Sequence, residues 1–232
     1  MPALSNSELL RLWEAGYGLH PLDQSLLALR AALPGATYDA LADWPLGRRN
    51  RALAELYAAS FGSSLRGWVS CAECRERLEF EMDLGACAAT LQSEESIVVR
   101  GRAFRLPTTR DLARAAQEAD PRAGVARLIE GCRLDAETSE NLQEADLEDV
   151  EQQMARADPL AEISLDLSCS ACGHGWSETL DLALFLWAQI QARAKRLIRE
   201  VHTLASAYRW SEEHILSMSE ARRAAYLELV EE

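Results

Sequence analysis

The cysteines are the residues whose type and spacing most clearly predict chemistry. The 232-residue chain contains six of them, and four form two C-x-x-C pairs: Cys71 with Cys74, and Cys169 with Cys172. A two-residue spacing lets both thiolates of a pair turn toward one point, and two such pairs supply the four sulfurs of a tetrahedral zinc site. A closed site of four thiolates leaves no open position for catalysis. We therefore predict that these four cysteines hold one structural Zn²⁺.

The two pairs lie far apart, yet the residues that follow them repeat. Paired C-x-x-C motifs in zinc sites usually lie about 15–20 residues apart, whereas 94 residues separate Cys74 from Cys169. After each pair, a large apolar residue stands seven and eleven positions beyond the first cysteine, followed by Asp-Leu. These residues are Leu78, Met82, Asp83 and Leu84 in the first copy and Trp176, Leu180, Asp181 and Leu182 in the second.

A knuckle followed by a strand, made twice, is the way in which a zinc ribbon is built. In the first copy, apolar and acidic residues alternate from residue 78 to residue 84, which is the pattern of a half-buried strand. Before the second pair, residues 163–168 alternate in the same way. We therefore predict a split zinc ribbon formed by residues 68–90 and 161–182, with residues 91–160 inserted between its halves.

Two other interpretations of the C-x-x-C pairs stay open. A thioredoxin-like dithiol motif normally follows a strand and opens a helix, whereas the pair at Cys71 and Cys74 runs into a strand pattern. Unliganded cysteines, as in a site that has decayed, are the other possibility. His174 could replace a sulfur ligand beside Cys172, but with four cysteines present we interpret it as a turn residue.

No catalytic motif accompanies the cysteines. The sequence has no Gly-rich phosphate loop, nucleophile elbow or H-E-x-x-H helix. Its histidines stand in unrelated contexts: His20, His174, His202 and His214. The two isolated cysteines, Cys87 and Cys132, lie on apolar faces and are predicted to be small buried residues. We expect a binding or assembly protein and not an enzyme.

Charge and hydropathy argue against several classes of partner. Asp and Glu outnumber Lys and Arg by 37 to 24, which gives a formal net charge of −13. Such a chain repels phosphate, so binding to nucleic acid or to acidic membranes is disfavoured. No apolar run approaches the roughly 20 residues of a membrane span, and the N-terminus lacks the features of a signal peptide. We expect a cytoplasmic protein with no membrane span and no nucleic-acid partner.

The segments that must position the knuckles are mostly helical, and the predicted fold class is α+β. Residues 1–67 read as a helical segment, with a capping box at Ser5 and Glu8, a second helix over residues 22–33, and a third helix between Pro45 and Gly62. Their apolar residues recur at helical spacing, which predicts packing in a small bundle.

The remaining segments are the insertion and the C-terminal region. The insertion should contain a hairpin that turns near Gly101, two short helices, and a solvated helix within residues 135–151, where eight residues are acidic and none is basic. An acidic binding surface is the alternative for that stretch. Residues 183–232 should form a long helix reaching residue 208 and then two short helices. Arg193, Lys195, Arg196 and Arg199 make the middle of the long helix basic, and we expect this cluster to solvate the helix and to pair with the acidic segment; a nucleic-acid role is the alternative.

Three patches of the sequence resemble one family of phage assembly proteins. Residues 202–230, with the pattern HxLAxAYxWSExxILxMxxxRRxxYLELV, resemble a C-terminal signature of phage tail and phage-like contractile injection clusters. Residues 104–112, FRLPTTRDL, resemble a segment of the T-even-type phage baseplate hub assembly chaperone family. Residues 45–50, PLGRRN, together with the first knuckle, are similar to zinc-ribbon versions of that family found in phage-tail-like contractile injection systems.

This resemblance implies a non-enzymatic protein that helps to build the baseplate or hub of a contractile injection apparatus, or forms a minor part of it. Its partners would be baseplate, hub or spike proteins, contacted through the long helix and the C-terminal helices. The protein would be cytoplasmic or retained in an assembled phage-tail-like particle. A zinc-ribbon regulator that binds nucleic acid or protein, and a C-x-x-C dithiol oxidoreductase, are the alternatives.

Overall fold

The structure is a computed structural model that describes residues 1–85, 94–134 and 143–231. It has mixed α+β architecture and is 57% helical, as the sequence predicts. Among the described residues, no helix combines the length and the apolar character that crossing a membrane requires. The N-terminal helices are α1 (Asn6–Gly16), α2 (Pro21–Ala32), α3 (Tyr38–Ala42) and α4 (Leu46–Phe61).

The N-terminal helices begin and end at the residues that the sequence indicated. The hydroxyl of Ser5 accepts the backbone N–H of Glu8, and the Glu8 carboxylate accepts the N–H of Ser5, so the predicted capping box is confirmed. Pro45 precedes α4, and Gly62 ends it with a φ of 100°. The short helix α3, which Thr37 caps, was not predicted.

Three antiparallel hairpins account for the strands of the described residues, and each is a separate two-stranded sheet. The first pairs β1 (Ser64–Ser70) with β2 (Arg77–Asp83), and the second pairs β3 (Ser96–Val99) with β4 (Arg102–Arg105). The third pairs β5 (Ile163–Ser168) with β6 (Gly175–Leu180). Residues 64–67 were predicted to belong to the helical segment, but they form the first half of β1.

The insertion and the C-terminal region supply the other helices. The insertion contains the predicted hairpin, which turns at Gly101 with a φ of 79°, followed by α5 (Thr109–Ala115), α6 (Pro121–Gly131) and α7 (Glu144–Ala157). The C-terminal region contains the predicted long helix α8 (Leu182–Tyr208), then α9 (Glu212–Ser217) and α10 (Glu220–Glu231).

Two separate hydrophobic clusters hold these elements together. The larger joins α1, α2, α4 and α8 and includes the base of the first and third hairpins through Leu65, Leu84, Leu180 and Leu182. The smaller lies inside the insertion, between the β3–β4 hairpin and helices α6 and α7; it contains Phe104, Ile129 and Cys132. Cys132 is fully buried, so its predicted role in a core is confirmed; Cys87 lies outside the described residues.

Buried polar contacts join the insertion to the N-terminal helices. The carboxylate of Asp158, which is 1% exposed, accepts the N–H of Gly47 in the first turn of α4 at 2.8 Å. A Cβ atom at Gly47 would lie 1.7 Å from that carboxylate, so the contact requires glycine. The side chain of Asn50 donates to the carbonyl of Leu160 at 2.8 Å. These contacts fix α4 against the chain segment that enters the third hairpin.

The basic cluster of α8 pairs with α10 and not with the acidic helix. Arg193 and Arg196 donate to the carboxylate of Glu220 at 2.7 Å and 2.9 Å. The acidic helix α7 instead pairs with the turn of its own hairpin, through Asp146 and Arg100. The predicted pairing between the two segments is therefore wrong for these arginines, because α7 packs within the insertion whereas α10 folds back along α8.

Candidate metal centre

The two C-x-x-C pairs form the tips of the first and third hairpins. Cys71 directly follows β1, and β2 begins six residues after it. Cys169 directly follows β5, and β6 also begins six residues after it. Each tip is therefore a six-residue knuckle of the same length, placed at the far end of a hairpin whose base lies in the larger core.

The first knuckle is closed by two backbone hydrogen bonds. The N–H of Cys71 donates to the carbonyl of Glu76 at 2.9 Å, and the N–H of Arg75 donates to the carbonyl of Cys71 at 3.0 Å. Arg75 has a φ of 63°, in the left-handed region. This turn brings the N–H groups of the knuckle round toward the sulfur of Cys71.

The second knuckle repeats these bonds at the equivalent positions. The N–H of Cys169 donates to the carbonyl of His174 at 2.8 Å, and the N–H of Gly173 donates to the carbonyl of Cys169 at 2.8 Å. Gly173 has a φ of 75°. The repeat seen in the sequence is thus a repeat of backbone geometry, since both knuckles place their left-handed residue four positions after the first cysteine.

All four predicted ligands converge. The sulfur of Cys71 lies 3.7 Å from that of Cys172, and the sulfur of Cys74 lies 3.5 Å from that of Cys169. The four sulfurs all lie within 4.8 Å of one another. A tetrahedral zinc with Zn–S bonds of about 2.3 Å would place its sulfurs about 3.8 Å apart. The distances fit such an ion and are far longer than a disulfide of about 2.05 Å, and the four residues are free thiols.

Each knuckle contributes one buried and one exposed sulfur ligand. Cys71 and Cys169 are 1% and 2% exposed, whereas Cys74 and Cys172 face solvent. The site therefore lies at the surface, with its inner half covered by protein. A metal ion can reach it from the exposed side without unfolding of the hairpins.

The hydrogen bonds of the knuckles lower the pKa of some of the four thiols and raise that of others. The N–H of Cys172 donates to the sulfur of Cys169 and, with the neighbouring donors, lowers the pKa of that thiol to about 7; the pKa of Cys71 is lowered in the same way by the N–H of Cys74. For Cys74, the N–H of Glu76 favours the thiolate, but the hydrogen bond to Cys169 and desolvation raise its pKa to about 12. Four adjacent thiolates repel one another, and a divalent cation among them removes that repulsion.

His174 does not belong to the cluster. Its carbonyl closes the second knuckle, and its ring stacks on Trp176 with 5.6 Å between ring centroids. The groups of possible metal ligands in the described part of the chain comprise the four cysteines alone. His174 thus lies in the second knuckle, and its carbonyl takes part in the backbone bond that closes it.

Comparison with family models, with curated proteins and with solved structures finds no match for this chain. The interpretation of the site therefore depends on its donor set. Four thiolates in tetrahedral arrangement are typical of zinc or of iron with sulfur ligands, and carboxylate-preferring ions such as Mg²⁺ are disfavoured. The cluster can hold one thiophilic metal ion, and it offers that ion no open coordination position.

Sequence reasoning missed one functional element, the strand β1. Its residues alternate, with Leu65, Gly67 and Val69 facing inward and Arg66 and Trp68 facing outward. That alternation was the available signal, but Gly67 weakens a strand pattern because it contributes no side chain. In the structure, the missing side chain at Gly67 leaves the space that an aromatic ring of β2 fills.

Proposed function

We propose that Cys71, Cys74, Cys169 and Cys172 bind one structural Zn²⁺ and so close a split zinc ribbon in a non-enzymatic protein. The convergence of four sulfurs within 4.8 Å carries this proposal. When bound, the ion would supply a cross-link between the two knuckles. The protein's own contribution is the pair of hairpins, whose backbone N–H groups orient the sulfurs.

Such a cross-link would hold the tips of the two hairpins, which the larger hydrophobic core does not reach. The hairpin bases are held by the larger core at Leu65 and Leu180. Phe80 and Leu165 still pack against that core halfway along the hairpins, so only the outer halves of the strands, at about 3.3 Å per residue, carry the knuckles beyond it. The metal would hold the tips together and thereby fix the insertion, which connects the two hairpins, relative to the helices.

We further propose that the protein is an assembly factor, or a minor component, of the baseplate or hub of a phage-tail-like contractile injection system. The resemblance of three sequence patches supports this proposal. Two of them, residues 45–50 and 104–112, contact each other: the N–H of Leu46 donates to the carbonyl of Pro107 at 2.9 Å, and Arg49 donates to the hydroxyl of Thr109 at 3.3 Å.

The third patch, residues 202–230, covers the end of α8, all of α9 and most of α10. Arg223, only 1% exposed, donates to the carboxylate of Glu200 at 2.9 Å and to the carbonyl of Met218 at 2.7 Å. The rings of Tyr208 and Trp210 stack with 4.5 Å between their centroids. The residues behind the resemblance thus take part in contacts that hold separate elements of this chain together.

Metal analysis of the purified protein tests the zinc site. We expect one zinc per chain, and we expect Cys169→Ala to lose it, whereas Cys132→Ala should retain it because Cys132 lies in the other core. Thiol titration should find the four cysteines protected until a chelator is added. Turnover of a disulfide substrate by a metal-free protein would instead support the dithiol oxidoreductase.

Gene neighbourhood and co-expression test the assembly role. Genes for sheath, tube and spike proteins should lie beside the gene of this chain. When co-expressed, a hub, spike or baseplate protein encoded there should copurify with it. An isolated gene, or failure of all neighbouring tail proteins to copurify, would contradict this part of the proposal while leaving the zinc site intact.

One observation favours the nucleic-acid alternative. Trp68 is 58% exposed on the outer face of the first hairpin, and the guanidinium of Arg77 lies 4.6 Å from its ring centroid. An aromatic ring flanked by arginine can stack on an unpaired base. Binding of a single-stranded oligonucleotide that weakens steeply with salt and is lost in Trp68→Ala would support this alternative.

A further inference from the structure

A groove runs between helices α6 and α7 of the insertion, and at one end it reaches Leu46 and Pro107. Two depressions of about 240 Å³ and 340 Å³ follow one another along it. Val125 and Glu151 line both depressions, so they form one continuous groove. Helix α7, which forms one wall of the groove, has 14 residues and is therefore about 21 Å long. A partner helix of about four turns could lie along it.

The floor of this α6–α7 groove is apolar. Most of its apolar lining residues come from α5, α6 and α7, and Leu46 of α4 and Pro107 complete it at one end. Those of the three helices include Leu112, Val125, Leu128, Leu147 and Met154. Val125 is 37% exposed and is the most accessible of them on α6. An apolar groove bounded by polar residues is the surface that an amphipathic helix recognises.

The rim of the groove along α7 is acidic. Glu144, Glu148 and Glu151 recur at helical spacing and all line the groove. Glu144 pairs with Arg122 across one end at 3.1 Å. Within the ranges that the structure describes, Glu148 and Glu151 form no ion pair, and Arg122, which lines the same depression, is engaged by Glu144. The rim therefore presents two exposed carboxylates that a partner's cations can reach.

Neither internal segment that lies outside the described residues carries a positive charge. Residues 135–142 contain three acidic residues and no basic one, and residues 86–93 contain no charged residue. In a second copy, Arg193 and Arg196 of α8 are engaged by Glu220, whereas Lys195 and Arg199 of that helix are exposed. Each copy carries a net charge of −13, which disfavours self-association, so complementarity with the acidic rim points to a different, basic protein.

We propose that the α6–α7 groove binds a basic amphipathic helix of a partner protein. The apolar face of that helix covers the floor near Val125, and its Lys or Arg side chains reach Glu148 and Glu151. This proposal requires neither the zinc site nor the baseplate role, because most residues that line the groove belong to the insertion, and α4 contributes only Leu46 at one end.

Fluorescence anisotropy with the full-length, metal-loaded protein tests the proposal. The probe is a labelled 18-residue helix of Leu and Lys with one apolar face, and the control probe has the same composition in an order without an apolar face. We expect the double variant Glu148→Gln/Glu151→Gln to bind the helix about tenfold more weakly, since two rim charges are lost. Val125→Ser should weaken it about fivefold.

Matched variants distinguish the groove from general attraction by an acidic protein. Glu212→Gln/Glu228→Gln removes two exposed charges elsewhere, and Val98→Ser changes a residue that is 71% exposed on β3; both should bind the helix like the unmodified protein. Equal binding of the control probe, or equal weakening by the matched double variant, would overturn the proposal.

Two further results would assign the groove to another occupant and overturn the proposal as well. One is a dimer in light scattering that Val125→Ser dissociates, which would identify a second copy. The other is helix binding that requires replacement of residues 86–93 by a Gly-Ser linker, which would identify the chain itself. Circular dichroism of each variant establishes that it is folded.

Discussion

The first and third hairpins share a backbone but differ in nearly every side chain around it. Both knuckles form the same two hydrogen bonds, and both place a left-handed residue four positions after the first cysteine. That residue is Arg75 in one and Gly173 in the other. For a non-glycine residue this conformation costs about 1–2 kcal/mol, so the first knuckle is held in its shape against a local preference.

Their outer and inner faces differ as well. The first hairpin presents Arg66 and Trp68 outward, whereas the third presents Ser164 and Ser177. Inside, the first pairs Gly67 with Phe80, a small residue against a large one. The comparison teaches that cysteine spacing and knuckle hydrogen bonds determine the site, and that the rest of each hairpin is adapted to what it touches.

Loss of one cysteine ligand should have the largest effect on metal content and stability. The effect should be the same whether the cysteine belongs to the first or to the third hairpin. Cys71→Ala and Cys169→Ala each remove a buried ligand, so each should release the metal and lose the roughly 10–16 kcal/mol that such a site contributes to folding. Metal analysis and thermal unfolding measure this. If only one of the two variants lost its metal, the symmetry of the half-sites would be disproved.

Filling the space at Gly67 should affect the first hairpin alone. A Cβ atom there would lie 2.5 Å from the ring of Phe80 and 3.1 Å from that of Phe185. We expect Gly67→Ala to lower the free energy of unfolding by about 1–3 kcal/mol, because both rings must move. Denaturant unfolding measures the change, and Gly175→Ala, where the nearest atom lies at 3.8 Å, is the control for adding a methyl group to a strand.

A substitution at the left-handed residue of the third hairpin should change the stability of the protein by a smaller amount. No atom lies within 4 Å of a Cβ placed on Gly173, so Gly173→Ala would change only the backbone preference. We expect a loss of about 1 kcal/mol with the metal content unchanged. Thermal unfolding in the presence of zinc provides the measurement, and a loss of metal would contradict this explanation.

The reciprocal change should have the smallest effect and the opposite sign. Arg75→Gly relieves the left-handed strain of the first knuckle, but it also increases the freedom of the unfolded chain. We expect a gain below about 1 kcal/mol in the same unfolding measurement. A loss in this variant would mean that the Arg75 side chain contributes contacts that outweigh its backbone cost.

The sequence was sufficient where structure is decided locally. The capping box at Ser5, the turn at Gly101 and the repeat after each C-x-x-C pair all predicted what the structure contains. Contacts between distant segments could not be read in this way. The partner of Arg193 depends on a chain reversal after α8, where Arg209 adopts a φ of 56° and returns the chain along that helix.

The separation of the two cysteine pairs has a consequence for biosynthesis. With 94 residues between Cys74 and Cys169 and synthesis at about 5–20 residues per second, the first dithiol leaves the ribosome on the order of 5–20 s before the second. The insertion has its own core, so we expect it to fold in this interval and to bring the late pair to the early one. Metal loading would then be the last step of maturation, and in refolding experiments zinc uptake should follow helix formation.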